Sequence, residues 1–306
     1  MPETVVITNK GQQQGYWRRC WQYREVLWFT ARRDFVVKYR QTLAGIVWLL
    51  ARPASQVFIF TILFGVMAGF KTPGGIPYPL VVMSGVVVWH FFASIVGQSM
   101  LALLNNQNLI TKVYFPRAIL PIATILPNLI DLAINLVALG AMIVYYHWFH
   151  PAVAGWFGFD VPTETWPSIL PSWRIVFLLV PISMVALIGV GLGFIFSAGS
   201  VKFRDFQQLL GFIMQFLYLL SPVAWSSQVV QDAVGDGRLP GWVQTLYYCN
   251  PLAVCLDLFR WCVMPAGYVV HQRGFQLGLS LICGLVLVLF GQWFFRRLEH
   301  TFADSI

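Results

Sequence analysis

The chain has 306 residues, of which 58% are hydrophobic and only 10% are charged, and its formal net charge is +8. Soluble domains carry about 25% charged residues, so this composition cannot supply the polar surface that a soluble protein needs. It indicates an integral membrane protein and excludes a disordered chain, a disulfide scaffold and an ordinary cytosolic enzyme.

The N-terminal segment 16–40 predicts an amphipathic helix rather than a membrane span. Trp21, Trp28 and Phe35 recur every seven residues, and basic residues fill many of the other positions. Such a helix lies in the membrane interface with its aromatic side toward the lipid. It either only anchors the chain or also docks a partner. We therefore divide the chain into a cytoplasmic N-terminus over 1–40 and a single transmembrane domain over 41–306.

Six apolar segments are long enough to cross a bilayer, for which a helix needs about 20 residues. They do not alternate with period two, so helices are predicted and not barrel strands. A further apolar stretch, 250–264, is too short and predicts a re-entrant or interfacial helix. The fold class is thus an all-α integral membrane protein with six transmembrane helices, an N-terminal interface helix and short gate helices between spans five and six. The predicted spans are 43–69, 79–103, 118–146, 175–199, 206–225 and 275–295.

The positive charges predict on which side of the membrane each loop lies. Of the 20 Lys and Arg residues, fifteen belong to the side of the two termini and the second and fourth loops, and five to the other side. Because cytoplasmic flanks accumulate Lys and Arg, both termini are predicted to be cytoplasmic.

The sequence motifs of common enzyme sites are missing. No GxxxxGK[ST] loop is present, so the chain is not expected to bind ATP through the usual phosphate cradle. HExxH, GxSxG and clustered metal ligands are also absent, and the five cysteines form no CxxC pair. Asp160 and Glu164, four residues apart in an outward loop, are better interpreted as solvated charges. We expect no cofactor, no metal and no nucleic-acid partner for this chain.

Asp131 lies inside the third predicted span, where a charge is costly and normally faces the helix bundle or a water-filled path. Asn128 lies three residues before it and Asn135 four after, so the three side chains share one helical face. Two interpretations stay open. The cluster is either a hydrogen-bonded link between helices or a contact site for a transported solute.

The segment 226–268 joins spans five and six and follows Pro222, where a helix must kink or end. Its apolar stretch is too short to cross the bilayer, so protein has to cover its broken backbone. We predict that it closes the outer mouth of a pathway; a static aromatic belt is the alternative. The side chains assigned to this mouth are Tyr218, Trp225, Tyr247 and Tyr248.

A collinear series of motifs resembles the pattern of ABC type-2 exporter permeases over residues 24–306. The motifs are RRDFVVKYRQTLAGIVWLLARP at 32–53, FTILFG at 60–65, NNQNLITKVYFPRAILP at 105–121, VKFRD at 201–205, SPVAW at 221–225 and NPLA at 250–253. The tail RRLEHTFADSI at 296–306 is similar to that of the polysaccharide-exporting branch, which handles O-antigen and teichoic-acid-type polymers. Arg52 departs from the family pattern, in which a neutral residue before the proline is more usual.

The resemblance implies a transport subunit and not an enzyme. It implies two copies of the chain in the bacterial inner membrane, surrounded by lipid, with two separate ATPase subunits that bind ATP and Mg²⁺. The substrate implied is a lipid-linked glycan leaving the cytoplasm; a drug or lipid is the alternative within the family, and a membrane enzyme acting on lipid-linked sugars is a distant one. The ATPase-docking surface implied consists of Arg32, Arg33, Asp34, Arg40, Asn106, Leu109, Ile110, Lys112, Tyr114, Phe115 and Arg117.

Overall fold

The structure is a computed structural model that describes residues 16–40, 45–70, 72, 76–154, 173–203, 205–264 and 274–299. Residues 1–15, Asp160, Glu164, the end of the predicted gate segment at 265–268 and the tail residues 300–306 lie outside this range. Within it the chain consists of helices and the turns that join them. The α-helices are α1 (Tyr16–Gln22), α2 (Arg24–Arg40), α3 (Gly45–Phe60), α4 (Tyr78–Ala102), α5 (Gln107–Lys112), α6 (Ile119–Ala123), α7 (Ile125–Ala154), α8 (Leu179–Lys202), α9 (Asp205–Leu220), α10 (Gln228–Gly235), α11 (Gly241–Tyr248), α12 (Pro251–Val263) and α13 (Gly274–Leu298).

Five helical segments of the described chain are long and apolar enough to cross a membrane, which makes this a multi-pass membrane protein. They are Val47–Met67, Tyr78–Ala102, Ile119–His147, Trp173–Lys202 and Gly278–Leu298. The predicted span 206–225 corresponds to α9, which has 16 residues and is followed by a turn at 221–227. The count of six spans therefore stays a prediction.

Helix α4 forms the centre of the bundle, with α8, α7 and α3 packed around it. Most of its 25 residues are buried, among them a continuous run from Leu80 to Trp89. A helix that is apolar on nearly all sides is stable where other helices surround it. By contrast, α3 and α13 leave many of their apolar side chains exposed, as helices in contact with lipid do.

Glycines let α8 approach its neighbours closely. A Cβ at Gly193 would lie 2.4 Å from the Cβ of Ser99 in α4, and a Cβ at Gly291 in α13 would lie 2.1 Å from the carbonyl oxygen of Gly191. Small residues at helix contacts are typical of membrane proteins, in which close packing holds helices together. The sequence run of glycines at 189, 191 and 193 predicts this close approach, and the contacts confirm it.

The N-terminal segment forms two helices, so the prediction of one continuous helix over 16–40 is wrong in this detail. A turn at Tyr23 separates α1 from α2, because the two helices contact different parts of the protein. Helix α2 packs against α6 and α7, whereas α1 reaches the end of α13. Trp21 and Trp28 are 72% and 63% exposed and are therefore free to meet lipid.

Candidate functional site

Three segments that the charge pattern assigns to the cytoplasmic side meet at Glu299, and we call their meeting point the Glu299 junction. The backbone amide of Arg117 donates to Glu299 Oε1 at 3.0 Å, and the Arg117 guanidinium donates to the Glu299 carbonyl oxygen at 2.6 Å. The Tyr16 hydroxyl donates to Glu299 Oε2 at 3.0 Å, and the Arg296 guanidinium lies 4.8 Å from the centre of the Tyr16 ring. Burial, and then the negative charge of Glu299, raise the pKa of Tyr16, so its hydroxyl keeps the proton that it donates. The junction holds α1, the loop after α5 and the end of α13 together.

The predicted docking residues divide into an accessible set and a buried set. The accessible side chains flank the junction on α2, on the short helix α5 and on the loop after it, and Tyr114 is 68% exposed. Arg33 and Asp34 form an ion pair at 2.6 Å and are partly exposed. The exposed members of the set are Arg32, Arg40, Lys112 and Tyr114.

The other docking candidates are buried or partly buried. Phe115 is buried in the main core, and Leu109 and Ile110 pack against that core with part of their surface accessible. Asn106 is buried and donates from Nδ2 to the carbonyl oxygen of Ala102, the last residue of α4, at 2.8 Å. The Arg117 guanidinium is hydrogen-bonded within the Glu299 junction. These residues shape the loop, and a docking role for the whole set stays a prediction.

Asp131 is bound to the end of the interface helix. Lys38 Nζ forms an ion pair with Asp131 Oδ2, and the Tyr39 hydroxyl donates to Asp131 Oδ1. The side chain of Asp131 is 11% exposed and that of Lys38 is 34% exposed, so the pair is partly shielded from water. Asp131 therefore links α2 to the third span. A contact with a transported solute stays a prediction.

The two asparagines on the same face have different partners. Gln98 of α4 and Asn128 exchange two amide hydrogen bonds, at 3.0 and 3.1 Å. Asn135 donates from Nδ2 to the Asp131 carbonyl oxygen at 2.8 Å, while its Oδ1 is buried and has no partner among the described residues. The shared face that the sequence predicts is present, and it joins α7 to α4 and to α2.

Arg260 of α12 is fully buried, although the charge pattern counts it among the outward loops. Its guanidinium donates to Ser84 Oγ at 3.2 Å, to the Trp225 carbonyl oxygen at 3.0 Å, and to the carbonyl oxygens of Val81 and Val223 at 3.1 Å each. Four acceptors thus replace the water that a guanidinium normally needs. We call this arrangement the Arg260 cage. It joins α12, α4 and the turn after α9.

The turn at 221–225 is inserted against α4 by further contacts. The Tyr78 hydroxyl donates to the Ala224 carbonyl oxygen at 2.5 Å. Asn250 caps α12 by accepting from the Leu252 amide at 3.0 Å, and its Nδ2 donates to Ser221 Oγ at 2.9 Å. The motifs SPVAW and NPLA, which are separate in sequence, therefore meet at one point.

A glycine of α4 makes room for this turn, which predicts a large difference between two alanine variants. A Cβ at Gly85 would lie 2.2 Å from the Val223 carbonyl oxygen, whereas a Cβ at Gly97 meets nothing within 4 Å. We expect Gly85→Ala to lower the melting temperature of the purified protein markedly, because backbone has to move. Gly97→Ala should leave the melting temperature unchanged or raise it, since alanine favours a helix by about 1 kcal/mol over glycine. Equal melting temperatures for the two variants would contradict the observed packing.

The aromatic residues assigned to an outer mouth fall into two groups. Tyr247 and Tyr248 are buried between α10, α11 and α12. Gln231 Nε2 donates to the Tyr248 hydroxyl at 2.7 Å, and Tyr247 shares a hydrogen bond with Ser227 at 3.2 Å. These two tyrosines hold the short helices to one another.

The second group packs between α9 and the first two spans. The ring centres of Tyr218 and Trp89 are 5.1 Å apart, and those of Trp225 and Phe64 are 6.5 Å apart. The Tyr218 hydroxyl is buried and has no hydrogen-bond partner among the described residues. The structure does not bring the four residues into one ring within a single chain, and their gating role stays a prediction.

Glu299, Lys38 and Tyr39 are binding partners that the sequence does not predict, because their motifs indicate the family but not which distant residues they contact. A signal for Arg260 exists, since an arginine inside a short apolar stretch has to be paired or caged. Among the described residues no group of three His, Cys, Asp or Glu side chains is placed to hold a metal ion.

Comparison with known proteins identifies the family. Several relatives have named transport roles. The chain is 24% identical over 216 residues to the O-antigen export system permease protein RfbA of Myxococcus xanthus, covering 70% of this chain and 74% of that protein. It is 21% identical over 282 residues to RfbA of Klebsiella pneumoniae, covering 92% and 95%. It is 23% identical over 273 residues to the polysialic acid transport protein KpsM of Escherichia coli, covering 89% and 93%. The family model of the ABC-2 type transporter matches residues 25–264, and with most of its length matched the chain belongs to that family.

Proposed function

We propose that this protein is the transmembrane permease subunit of an ATP-driven exporter that moves a lipid-linked, O-antigen-like polysaccharide out of the cytoplasm. Membership of the ABC-2 type transporter family supports a transport role, and relatives named for O-antigen export and polysialic acid transport support a glycan substrate. In this role the chain is not catalytic. ATP and Mg²⁺ bind to a separate ATPase subunit.

The observation that carries the proposal is the Glu299 junction with the accessible surface of α2, α5 and the following loop beside it. Lys112, Tyr114 and Arg32 are exposed there, next to a rigid support of hydrogen bonds. A force-generating partner needs a firm surface that is coupled to several spans. This face is continuous with α4, α7 and α13.

Helix contacts support six crossings with both termini in the cytoplasm. Ser200 of α8 donates to the Met100 carbonyl oxygen at 3.1 Å, so the ends of α4 and α8 lie side by side, and Phe206 in the first turn of α9 lies against Gly199. A 16-residue helix rises about 24 Å, and the turn after α9 lies beside Gly85 toward the other end of α4. In this arrangement α9 and its turn form the fifth crossing. Helices α10, α11 and α12 then form gate helices in the outer leaflet.

The assembly we propose contains two copies of this chain and two ATPase subunits in the bacterial inner membrane. The exposed apolar faces of α3 and α13 are available to lipid or to the second copy. The cytoplasmic N-terminus over 1–40 and the transmembrane domain over 41–306 act together, because Lys38 and Tyr39 bind Asp131.

A docking variant tests the contact with the ATPase. Tyr114 is 68% exposed beside the junction, and Trp242 is 66% exposed on α11 at the other end of the molecule. Exposed aromatic residues are frequent anchors of protein interfaces, and losing one weakens binding by about tenfold or more. We expect Tyr114→Ser to lower the amount of ATPase that co-purifies with the permease by that factor. Trp242→Ser is the matched control and should leave co-purification unchanged. Equal recovery from both variants would remove Tyr114 from the docking surface.

Deletion of the gene tests the substrate class. We expect the cell surface to lose a polysaccharide that accumulates inside the cell, and a plasmid copy to restore it. Normal surface polysaccharide together with increased sensitivity to a drug would favour the alternative of a drug exporter.

A further inference from the structure

Beyond its first turn, helix α4 has a single accessible face. The partly exposed residues there are His90, Ala93, Ser94, Gly97, Gln98 and Leu101. Their spacing of three and four residues places them on one side of the helix. The buried sides consist mainly of Val, Phe, Ile and Leu, whereas this face contains three polar side chains, a glycine and an alanine. A polar accessible face on the most buried helix of a membrane protein indicates contact with something other than lipid tails.

The first and third spans flank this face. Gln56 of α3 shares a hydrogen bond with His90 at 2.8 Å on one side, and Asn128 of α7 pairs with Gln98 on the other. Between them the floor is open, because a Cβ at Gly97 would have no neighbour within 4 Å. We call this polar depression, with α4 as floor and α3 and α7 as walls, the α4 groove.

Arg52 gives the groove a positive charge. It lies on α3 one turn, or about 6 Å, from Gln56 on the same side, within the segment Val47–Met67 that is apolar enough to span the membrane. Its side chain is exposed and has no carboxylate within ion-pair distance among the described residues. Asp131, the carboxylate of the third span, is already bound to Lys38 and Tyr39. An arginine in a span needs an anion or water, and its planar guanidinium matches a phosphate with two parallel hydrogen bonds.

The surface next to Arg52 is apolar and accessible. Trp48 is one turn away and Ile59 two turns away on the same side of α3, and they are 65% and 51% exposed. The groove therefore combines three chemistries within a short distance: a cation, hydrogen-bonding side chains and an open apolar surface. A glycan joined to a lipid through phosphate carries the three matching groups at its junction.

We propose that the α4 groove binds the junction between the phosphate and the first sugar of the lipid-linked substrate. Arg52 pairs with the phosphate, and Ser94 hydrogen-bonds to a hydroxyl group of the sugar. His90 and Gln98 contribute the ring nitrogen and the second amide hydrogen that Gln56 and Asn128 do not use. The lipid tail lies along the exposed side of α3 at Trp48 and Ile59. This inference rests on the proposed function and assigns a substrate contact to Arg52, His90, Ser94 and Gln98.

The test measures binding of a defined probe to the purified permease–ATPase complex in lipid nanodiscs. The probe is a polyprenyl diphosphate that carries one N-acetylglucosamine residue. Because a hydrogen bond to a charged group contributes about 1.5–3 kcal/mol, Arg52→Gln should weaken probe binding by about tenfold or more. Gly97→Leu should also weaken it, since the larger side chain occupies the open floor, where a Cβ meets no atom within 4 Å. Arg18→Gln removes an exposed arginine from α1 and should bind the probe like the wild type.

The outcomes separate the inference from the proposed function. Wild-type affinity in both Arg52→Gln and Gly97→Leu would overturn the groove assignment while leaving the export proposal intact. Failure of the wild-type complex to bind the probe would overturn both. Phosphatidylglycerol added as a competitor should not displace the probe. Displacement at equal concentration would show that Arg52 holds an ordinary lipid headgroup, and it would overturn the assignment to the substrate.

Discussion

Replacing Arg260 by methionine is expected to lower the free energy of unfolding by about 3–5 kcal/mol, the range measured when one partner of a buried charged network is removed. The variant leaves Ser84 Oγ and three carbonyl oxygens without their donor, and it removes the guanidinium whose Nη1 lies 4.0 Å from Oδ1 of the buried Asp257. The turn after α9 then loses its attachment to α4. The effect is measured as the loss of monodisperse protein after detergent extraction and as a lower unfolding midpoint.

Two further variants make this expectation specific. Arg260→Lys keeps the charge but not the planar set of donors, so it should be intermediate between wild type and methionine. Arg238→Met is the matched control, because Arg238 belongs to the same outer segment but is 69% exposed and pairs with the exposed Asp236. It should unfold like the wild type. If Arg260→Met were as stable as Arg238→Met, the Arg260 cage would have no role in stability.

Reversing the charge of Asp131 is expected to detach the interface helix and to reduce export at least tenfold. Asp131→Lys places two ammonium groups side by side at a position where the carboxylate is only 11% exposed, and it removes the acceptor for Tyr39. Like charges in a shielded site repel strongly. Limited trypsin digestion should cut α2 faster in the variant, because Lys38 and its neighbours are released.

The exchange of both charges is the control for Asp131→Lys. The double variant Lys38→Asp with Asp131→Lys restores an ion pair, so much of the protease resistance and export should return. Asp131→Asn should be mild, because its amide oxygen still accepts from Tyr39 and Lys38 reaches water through its 34% exposed side chain. If the double variant stays as defective as Asp131→Lys, Asp131 acts through another contact and the link to α2 does not explain its position.

Hydropathy predicts the spans closely because the thickness of the bilayer limits their length. The second span was predicted over 79–103, and α4 extends over Tyr78–Ala102. The short apolar stretch at 250–264 was predicted not to cross, and α12 is a 13-residue helix that is buried along most of its length. Local composition is sufficient for these elements.

Contacts between distant segments decide what composition does not predict. Pro222 predicts that the apolar run after 205 kinks or ends before Trp225, and α9 does end at Leu220. What the sequence does not predict is that the residues after Leu220 bind Arg260, Tyr78 and Asn250. No local pattern contains these partners. Charge counting assigned Arg260 to a loop, since it treats every arginine as solvated by water, whereas here carbonyl oxygens solvate it.

In the candidate site, too, the local sequence predicts some features and packing decides the others. The sequence motif places Phe115 and Tyr114 side by side in one docking loop, but Phe115 is 5% exposed and Tyr114 is 68% exposed. A motif gives the order of residues, and only the packed loop decides which of two adjacent side chains faces outward. The cost of a charge in a bilayer predicts that Asp131 either links helices through hydrogen bonds or contacts a transported solute. Its partner Lys38 is 93 positions away in the sequence, and the packing of α2 against α7 brings the two side chains together.

ATP-dependent movement of a lipid-linked glycan across a membrane is the most direct measurement of the central claim. The permease and its ATPase are reconstituted into liposomes that contain a fluorescent polyprenyl-diphosphate-linked oligosaccharide, and ATP is added outside, where it reaches only the complexes whose ATPases face outward. In these complexes, export moves the glycan from the outer leaflet into the lumen. After the reaction, a membrane-impermeant glycosidase removes the glycan that remains on the outer surface, and the measured quantity is the labelled glycan that is protected from it. We expect the protected fraction to rise with ATP and Mg²⁺, and not with a non-hydrolysable analogue. An equal protected fraction with and without hydrolysis, in a complex whose ATPase is active, would contradict the account.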